Sequence, residues 1–155
     1  MKLKELFDER FITINNEKID QKTLFANTCQ QLLDAEYIDE GYLGELLERE
    51  NEYPTGLKLP SYGIAIPHCS PKNVRESVIY VNLLKKPVDW KNMEDFEETI
   101  PVDVTFNLVL SNKEDHMKVL SSMIAMIQNR ELINNIINCD DEKQIIETLR
   151  KGTNQ

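Results

Sequence analysis

The sequence predicts a three-layer α/β/α sandwich built on a mixed β-sheet, an α/β fold. Helical periodicity opens and closes the chain, while its middle is rich in β-branched residues and punctuated by proline and glycine. Near Leu110 the apolar pattern switches from alternation to helical spacing.

Gln21 to Tyr37 is the first predicted helix. Leu24, Phe25, Thr28, Leu32 and Leu33 share one face, and Asp20 stands where a side chain caps the free N–H groups. A second helix is expected from Asp39 to Glu52, with Asp39 as its cap, Leu43, Leu46 and Leu47 as its stripe, and Pro54 as its stop. From Tyr53 to Pro67 the density of proline and glycine predicts loop, broken by one short strand from Gly63 to Ile66. Ser77 to Leu84 and Val102 to Leu110 are predicted strands. Val88 to Trp90 is a short strand or a turn, and Glu94 to Glu98 a solvated loop. Ser111 and Glu114 have the spacing of a capping box, which starts a helix carrying His116, Leu120, Met123, Ile124 and Ile127. Helices over Glu131 to Asn138 and Glu142 to Lys151 complete the chain, the last capped by Asp141 and stopped at Gly152.

The 155 residues are expected to form one domain, 1–155. Twenty-seven acidic against eighteen basic residues give a net charge of -9. That field disfavours nucleic acid and anionic lipid as partners, because both need clustered Lys and Arg. No apolar run is long enough to cross a membrane, and the N-terminus has no apolar signal-peptide core. Three cysteines with no paired spacing fit neither a disulfide framework nor a zinc site, so the expectation is a cytoplasmic protein with no metal or cofactor.

The strongest chemical feature is Gly63-Ile64-Ala65-Ile66-Pro67-His68-Cys69. Pro67 ends a buried strand and limits the backbone freedom of His68. Imidazole is a good nucleophile near neutral pH, and strand ends are where clefts form. His68 is therefore a candidate phosphoryl acceptor, or else a surface histidine in a turn. His116 is the only other histidine and sits in the first turn of a helix that follows a strand. It is a candidate hydrogen-bond donor to a phosphoryl group, or else a packing residue on its own stripe. Arg49 is a candidate phosphoryl ligand, or an ordinary helix arginine paired with Glu45 or Glu52. Thr55 offers a hydroxyl, with turn formation as the alternative. A Cys69–His68 pair is disfavoured, since neighbours in extended backbone face opposite ways.

The stretch from Arg49 through Pro54-Thr55-Gly56-Leu57, followed by Ile64-Ala65-Ile66-Pro67-His68-Cys69, resembles the IIA component of the sugar phosphotransferase system. The superfamily is the fructose/mannitol type, and the wording is nearest the galactitol members. The resemblance spans about Phe11 to Lys151. Cys69 stands where mannitol-type members tend to have glycine. The resemblance implies an α/β/α sandwich and a phosphocarrier, a protein-histidine phosphotransferase. It implies that His68 takes phosphate from phosphorylated HPr and delivers it to a cysteine on a IIB protein, with a membrane IIC component served indirectly. It also implies that His116 and Arg49 hold the phosphoryl group and that Thr55 lies nearby. A rim of exposed apolar residues, Ile66, Leu57 and Met117, is expected around His68 for the partners. The alternatives are a nitrogen-type regulatory phospho-acceptor and a non-catalytic binding domain of the same fold.

Overall fold

The computed structural model describes residues 2–153. Five strands form one sheet in the order β1-β4-β5-β3-β2. They are β1 (Phe7–Asn15), β2 (Gly56–Lys58), β3 (Gly63–Ala65), β4 (Val78–Lys91) and β5 (Thr99–Val109). The helices are α1 (Gln21–Asp34), α2 (Tyr42–Glu52), α3 (Lys113–Ile127), α4 (Arg130–Ile137) and α5 (Glu142–Gly152). β1 runs parallel to β4 and β3 parallel to β5, while β4–β5 and β2–β3 are antiparallel. The sheet is mixed, as expected.

Strand alternation splits the core into two layers. Ile64, Ile66, Ile79, Val81, Val104 and Phe106 pack with α3, α4 and α5. Ala65, Tyr80, Val88, Trp90 and Val102 pack with α1 and α2 on the other face. Among the described residues no helix is long and apolar enough to cross a membrane.

Several boundaries differ from expectation for local reasons. β1 is not apparent in the sequence because Asp8, Glu9 and Arg10 break its apolar pattern. Asp8 and Arg10 pair at 2.8 Å, and Arg10 lies over the rings of Phe11 and Tyr37. β2 was read as loop, yet Gly56, Leu57 and Lys58 pair with Ala65, Ile64 and Gly63. Val88–Trp90 belongs to β4, whose register shifts between Leu83 and Val88, where Pro87 needs no ladder hydrogen bond. α2 starts at Tyr42, because the Asp39 side chain bonds Arg75 at 2.6 Å instead of capping. α3 is capped by Asn112, whose side chain accepts from the Glu114 N–H; Ser111 instead bonds Ser77. Asp20 and Asp141 cap α1 and α5 as expected.

The short β3 is wedged between β2 and β5, and this wedge positions the site. Tyr62, just before it, donates its hydroxyl to the Ile127 carbonyl at the end of α3, 2.6 Å away. β3 and α3 are thereby held together at the end away from His116.

Candidate functional site

The chain beyond β3 stays attached to β5. The Leu108 N–H donates to the Pro67 carbonyl at 2.9 Å, and His68 bridges to Leu108. Ile64 and Ile66 face the layer of α3, so His68, two residues further on, faces that layer as well. Cys69 falls in the opposite layer with Cys29 and Tyr42. Adjacent in sequence, His68 and Cys69 therefore serve different sides of the sheet. Burial pushes the Cys69 thiol far up, away from the thiolate.

An exposed rim that admits partners implies an open His68 ring, and so does a surface turn; the structure corrects this. The residue is only 8% exposed, because it is enclosed between the sheet rim and α3. Its Nδ1 lies 2.7 Å from the Ile66 carbonyl oxygen. A carbonyl only accepts, so Nδ1 carries the proton, and in the neutral ring Nε2 carries the lone pair. Among the described residues no buried side-chain nitrogen or oxygen lacks a partner. Nε2 has no partner among the described residues, so this atom reaches the surface. The ring thus offers solvent one nucleophilic nitrogen and little else.

His116, in the first turns of α3, stands beside it with ring centroids 4.9 Å apart and planes at 58°. Neither nitrogen of His116 is hydrogen-bonded within the described residues. Glu114 and Asp115 fill the first turn of α3 and offset the positive helix end there, which leaves His116 itself as the local donor.

Arg49 occupies the last turn of α2. The expected alternative pairing with Glu45 or Glu52 is not formed. Glu45 instead accepts from the Ser70 hydroxyl, and Arg49 lies over the Tyr53 ring at 4.8 Å. Among the described residues Arg49 makes no salt bridge, so its five N–H donors are uncommitted. Its charge is felt at both imidazoles. Burial is the main cause that lowers the His68 pKa, with smaller contributions from His116 and Arg49. Burial and then Arg49 lower that of His116. Both rings are held neutral at pH 7, as a nucleophile requires.

The structure gives Thr55 a different duty from the one expected. It is buried, and its hydroxyl and its N–H both donate to the Glu50 carboxylate, each at 2.7 Å. The single O–H donor is already used. The expected apolar rim also changes: Ile66 is fully buried and Leu57 partly so, while Met117 is 69% exposed beside His116.

Sequence reasoning missed Glu50 and the Ile66 carbonyl. The second has no side-chain signal. The first had one, because Tyr42, Leu46 and Glu50 are spaced four apart and form the buried stripe of α2. A carboxylate on such a stripe calls for buried donors.

Three comparisons bear on this arrangement. The family model described as "Phosphoenolpyruvate-dependent sugar phosphotransferase system, EIIA 2" matches residues 5–152. The galactitol-specific EIIA component of the Escherichia coli (strain K12) phosphotransferase system is 24% identical over 119 residues, covering 77% of this chain and 79% of its own. Among solved structures, enzyme IIAMtl in its complex with phosphorylated enzyme IIBMtl from Escherichia coli superposes with a TM-score of 0.76 at 18% identity, covering 94% of this chain and 97% of its own. The nitrogen regulatory protein IIA-Ntr of Neisseria meningitidis gives 0.76 at 21% identity, covering 95% and 98%.

Proposed function

The chain belongs to the EIIA 2 family of phosphoenolpyruvate-dependent sugar phosphotransferase systems, and on that premise we propose that it carries a phosphoryl group on His68 from phosphorylated HPr to a cysteine of a IIB protein. The observation that carries this reading is the hydrogen bond from His68 Nδ1 to the Ile66 carbonyl. It leaves the Nε2 lone pair free beside the His116 ring, with the charge of the unpaired Arg49 guanidinium acting on both imidazoles.

The Nε2 lone pair attacks phosphorus, the donor's N–P bond breaks, and its electron pair returns to the donor imidazole. In the onward step the acceptor thiolate attacks, the His68 N–P bond breaks, and the pair returns to Nε2. No net proton transfer is needed at His68. The Ile66 carbonyl supports the positive character of the phosphorylated ring through Nδ1–H. Arg49 and His116 compensate the negative charge of the group in flight. Thr55 supports the site through Glu50. Exposed Met117 and Tyr53 offer apolar contact to the partners. The acidic surface, net -9, favours a donor with a basic face.

The galactitol-specific relative supports sugar uptake over nitrogen-type regulation, with a galactitol-like polyol as cargo of the membrane IIC component. The solved complex of a related IIA with phosphorylated IIB supports the acceptor. Chain 1–155 acts as one domain in the cytoplasm, where its three free, buried cysteines stay reduced.

The test is direct. Incubated with phosphoenolpyruvate, enzyme I and HPr, the protein is expected to gain an acid-labile, base-stable phosphate. No such phosphate, with a control IIA labelled in parallel, would overturn the proposal.

A further inference from the structure

Glu50 is an acidic side chain in an expensive place. It is 4% exposed, on the buried face of α2. An apolar residue would fill that position at lower cost, since a buried carboxylate must be compensated by donors. Three donors compensate it here. Oε2 accepts from the Thr55 N–H at 2.7 Å and from Trp90 Nε1 at 3.0 Å; Oε1 accepts from the Thr55 hydroxyl at 2.7 Å. One carboxylate therefore joins the last turn of α2, the turn that opens β2, and the C-terminal end of β4.

From Thr55 the connection continues to the nucleophile. The Thr55 carbonyl accepts from the Ile66 N–H at 3.2 Å, and the Ile66 carbonyl accepts from His68 Nδ1 at 2.7 Å. Only two residues, Thr55 and Ile66, separate the Glu50 carboxylate from the His68 ring. Arg49 is the residue before Glu50 and shares its helical turn, so the same cage fixes the backbone from which the guanidinium extends.

We propose that Glu50 is a positioning residue for phosphoryl transfer: its carboxyl group locks Thr55 to Trp90 and so sets both the Ile66 carbonyl that orients His68 and the helix end that carries Arg49. This inference rests on the phosphocarrier reading above. It deepens that reading by assigning a role to a side chain that never meets the phosphoryl group.

Burial pushes the Glu50 pKa up to about 7, against the opposing pull of Thr55, Trp90 and Arg49. The cage tolerates either form. When protonated, Oε2 still accepts from Thr55 N–H and Trp90, and a proton on Oε1 is donated to the Thr55 hydroxyl oxygen instead. Glutamine reproduces that second pattern, with its oxygen at Oε2 and its amide nitrogen at Oε1. Aspartate keeps the acid but is one methylene short, and it leaves buried donors unmet.

Glu50→Asp and Glu50→Gln therefore separate reach from charge. Two readouts are taken on folded protein: the rate of phosphate uptake from phosphorylated HPr, and the nitrogen-15 shifts of the His68 ring, which report the tautomer. Glu50→Asp is expected to slow uptake roughly tenfold to a hundredfold, the scale of a misplacement near 1 Å. It should also move the ring from the Nδ1–H tautomer toward a mixture, and Glu50→Gln should restore both. Glu50→Ala should be at least as slow as Glu50→Asp; if it does not fold, the Asp and Gln pair decides. A Glu50→Asp protein with wild-type rate and ring shifts overturns the inference. So does slowing shared equally by Asp and Gln with the ring unchanged, which is what a loss of general stability would give. The ring spectrum needs no phosphoryl donor. A wild-type chain that takes no phosphate sinks the carrier reading, and the ring shifts still decide the positioning role.

Discussion

His68→Ala is expected to lower phosphate uptake by at least about a thousandfold, with the fold unchanged. The size of the effect follows from the absence of a substitute. His116 is the only other histidine, and nothing in the described structure fixes its tautomer as the Ile66 carbonyl fixes that of His68. Cys69 is the adjacent nucleophile in sequence, but it packs in the opposite layer and its thiol is held protonated by burial. Alanine removes a ring from a rim position, not from the centre of the core, so the sheet and α3 remain tied through Tyr62 and Ile127. Thermal unfolding and far-UV circular dichroism check the fold, and radiolabelled phosphate from phosphoenolpyruvate checks the chemistry. Uptake by His68→Ala at the wild-type level would place the acceptor elsewhere.

Gly63→Ala is expected to cause the largest loss of stability. A Cβ at this position would sit 1.9 Å from the Pro101 carbonyl oxygen and 2.9 Å from its carbon, both backbone atoms of β5. No rotamer relieves such a contact, so β3 must leave β5. That movement breaks the Ile64–Val104 and Ala65–Thr105 register and disturbs the Gly63 N–H bond to Asp103, 3.0 Å long. Overpacking of this kind costs about 3 kcal/mol. In a chain of this size that lowers Tm by roughly 6–12 °C. Because β3 leads directly into the segment that carries His68, uptake should fall at temperatures where the variant is still folded. A Tm within a degree or two of wild type would show that β3 is not wedged as described.

Much of the fold was legible because its signals are local. Asp20 and Asp141 cap the helices they precede, and the stripe expected for α1 is buried at Leu24, Phe25, Thr28 and Leu32. The stripe of α3 is rotated from the expected one: Met123 and Ile127 are buried, but Val119 and Met126 join them, while Leu120 is only partly buried and Ile124 is exposed. β1 was hidden because Asp8 and Arg10 satisfy each other on the solvent side of an edge strand, a pairing that composition reads as disorder of pattern. β2 was hidden because three residues carry too little periodicity; only pairing with β3 makes them a strand.

The site divides the same way. His68 was legible from the strand–proline–histidine order, and Arg49 and His116 from residue type at element ends. The closeness of the two rings is a tertiary fact, set by the packing of α3 on the face that Ile64 and Ile66 share. Thr55 was noticed for its hydroxyl, whereas its partner is Glu50, five residues earlier, and Trp90, which completes the cage, comes from a distant strand. The burial of the His68 ring was also out of reach, since nothing in the motif says how closely the sheet rim and helix enclose it.

The ring nitrogen that bears phosphate is the most direct test of this account. Nitrogen-15 spectra of the phosphorylated protein, labelled at histidine, distinguish the two nitrogens of His68. The expected result is phosphate on Nε2 with the proton retained on Nδ1. Phosphate on Nδ1 would require the bond to the Ile66 carbonyl to be absent in the working protein, and would contradict the geometry from which the function is argued.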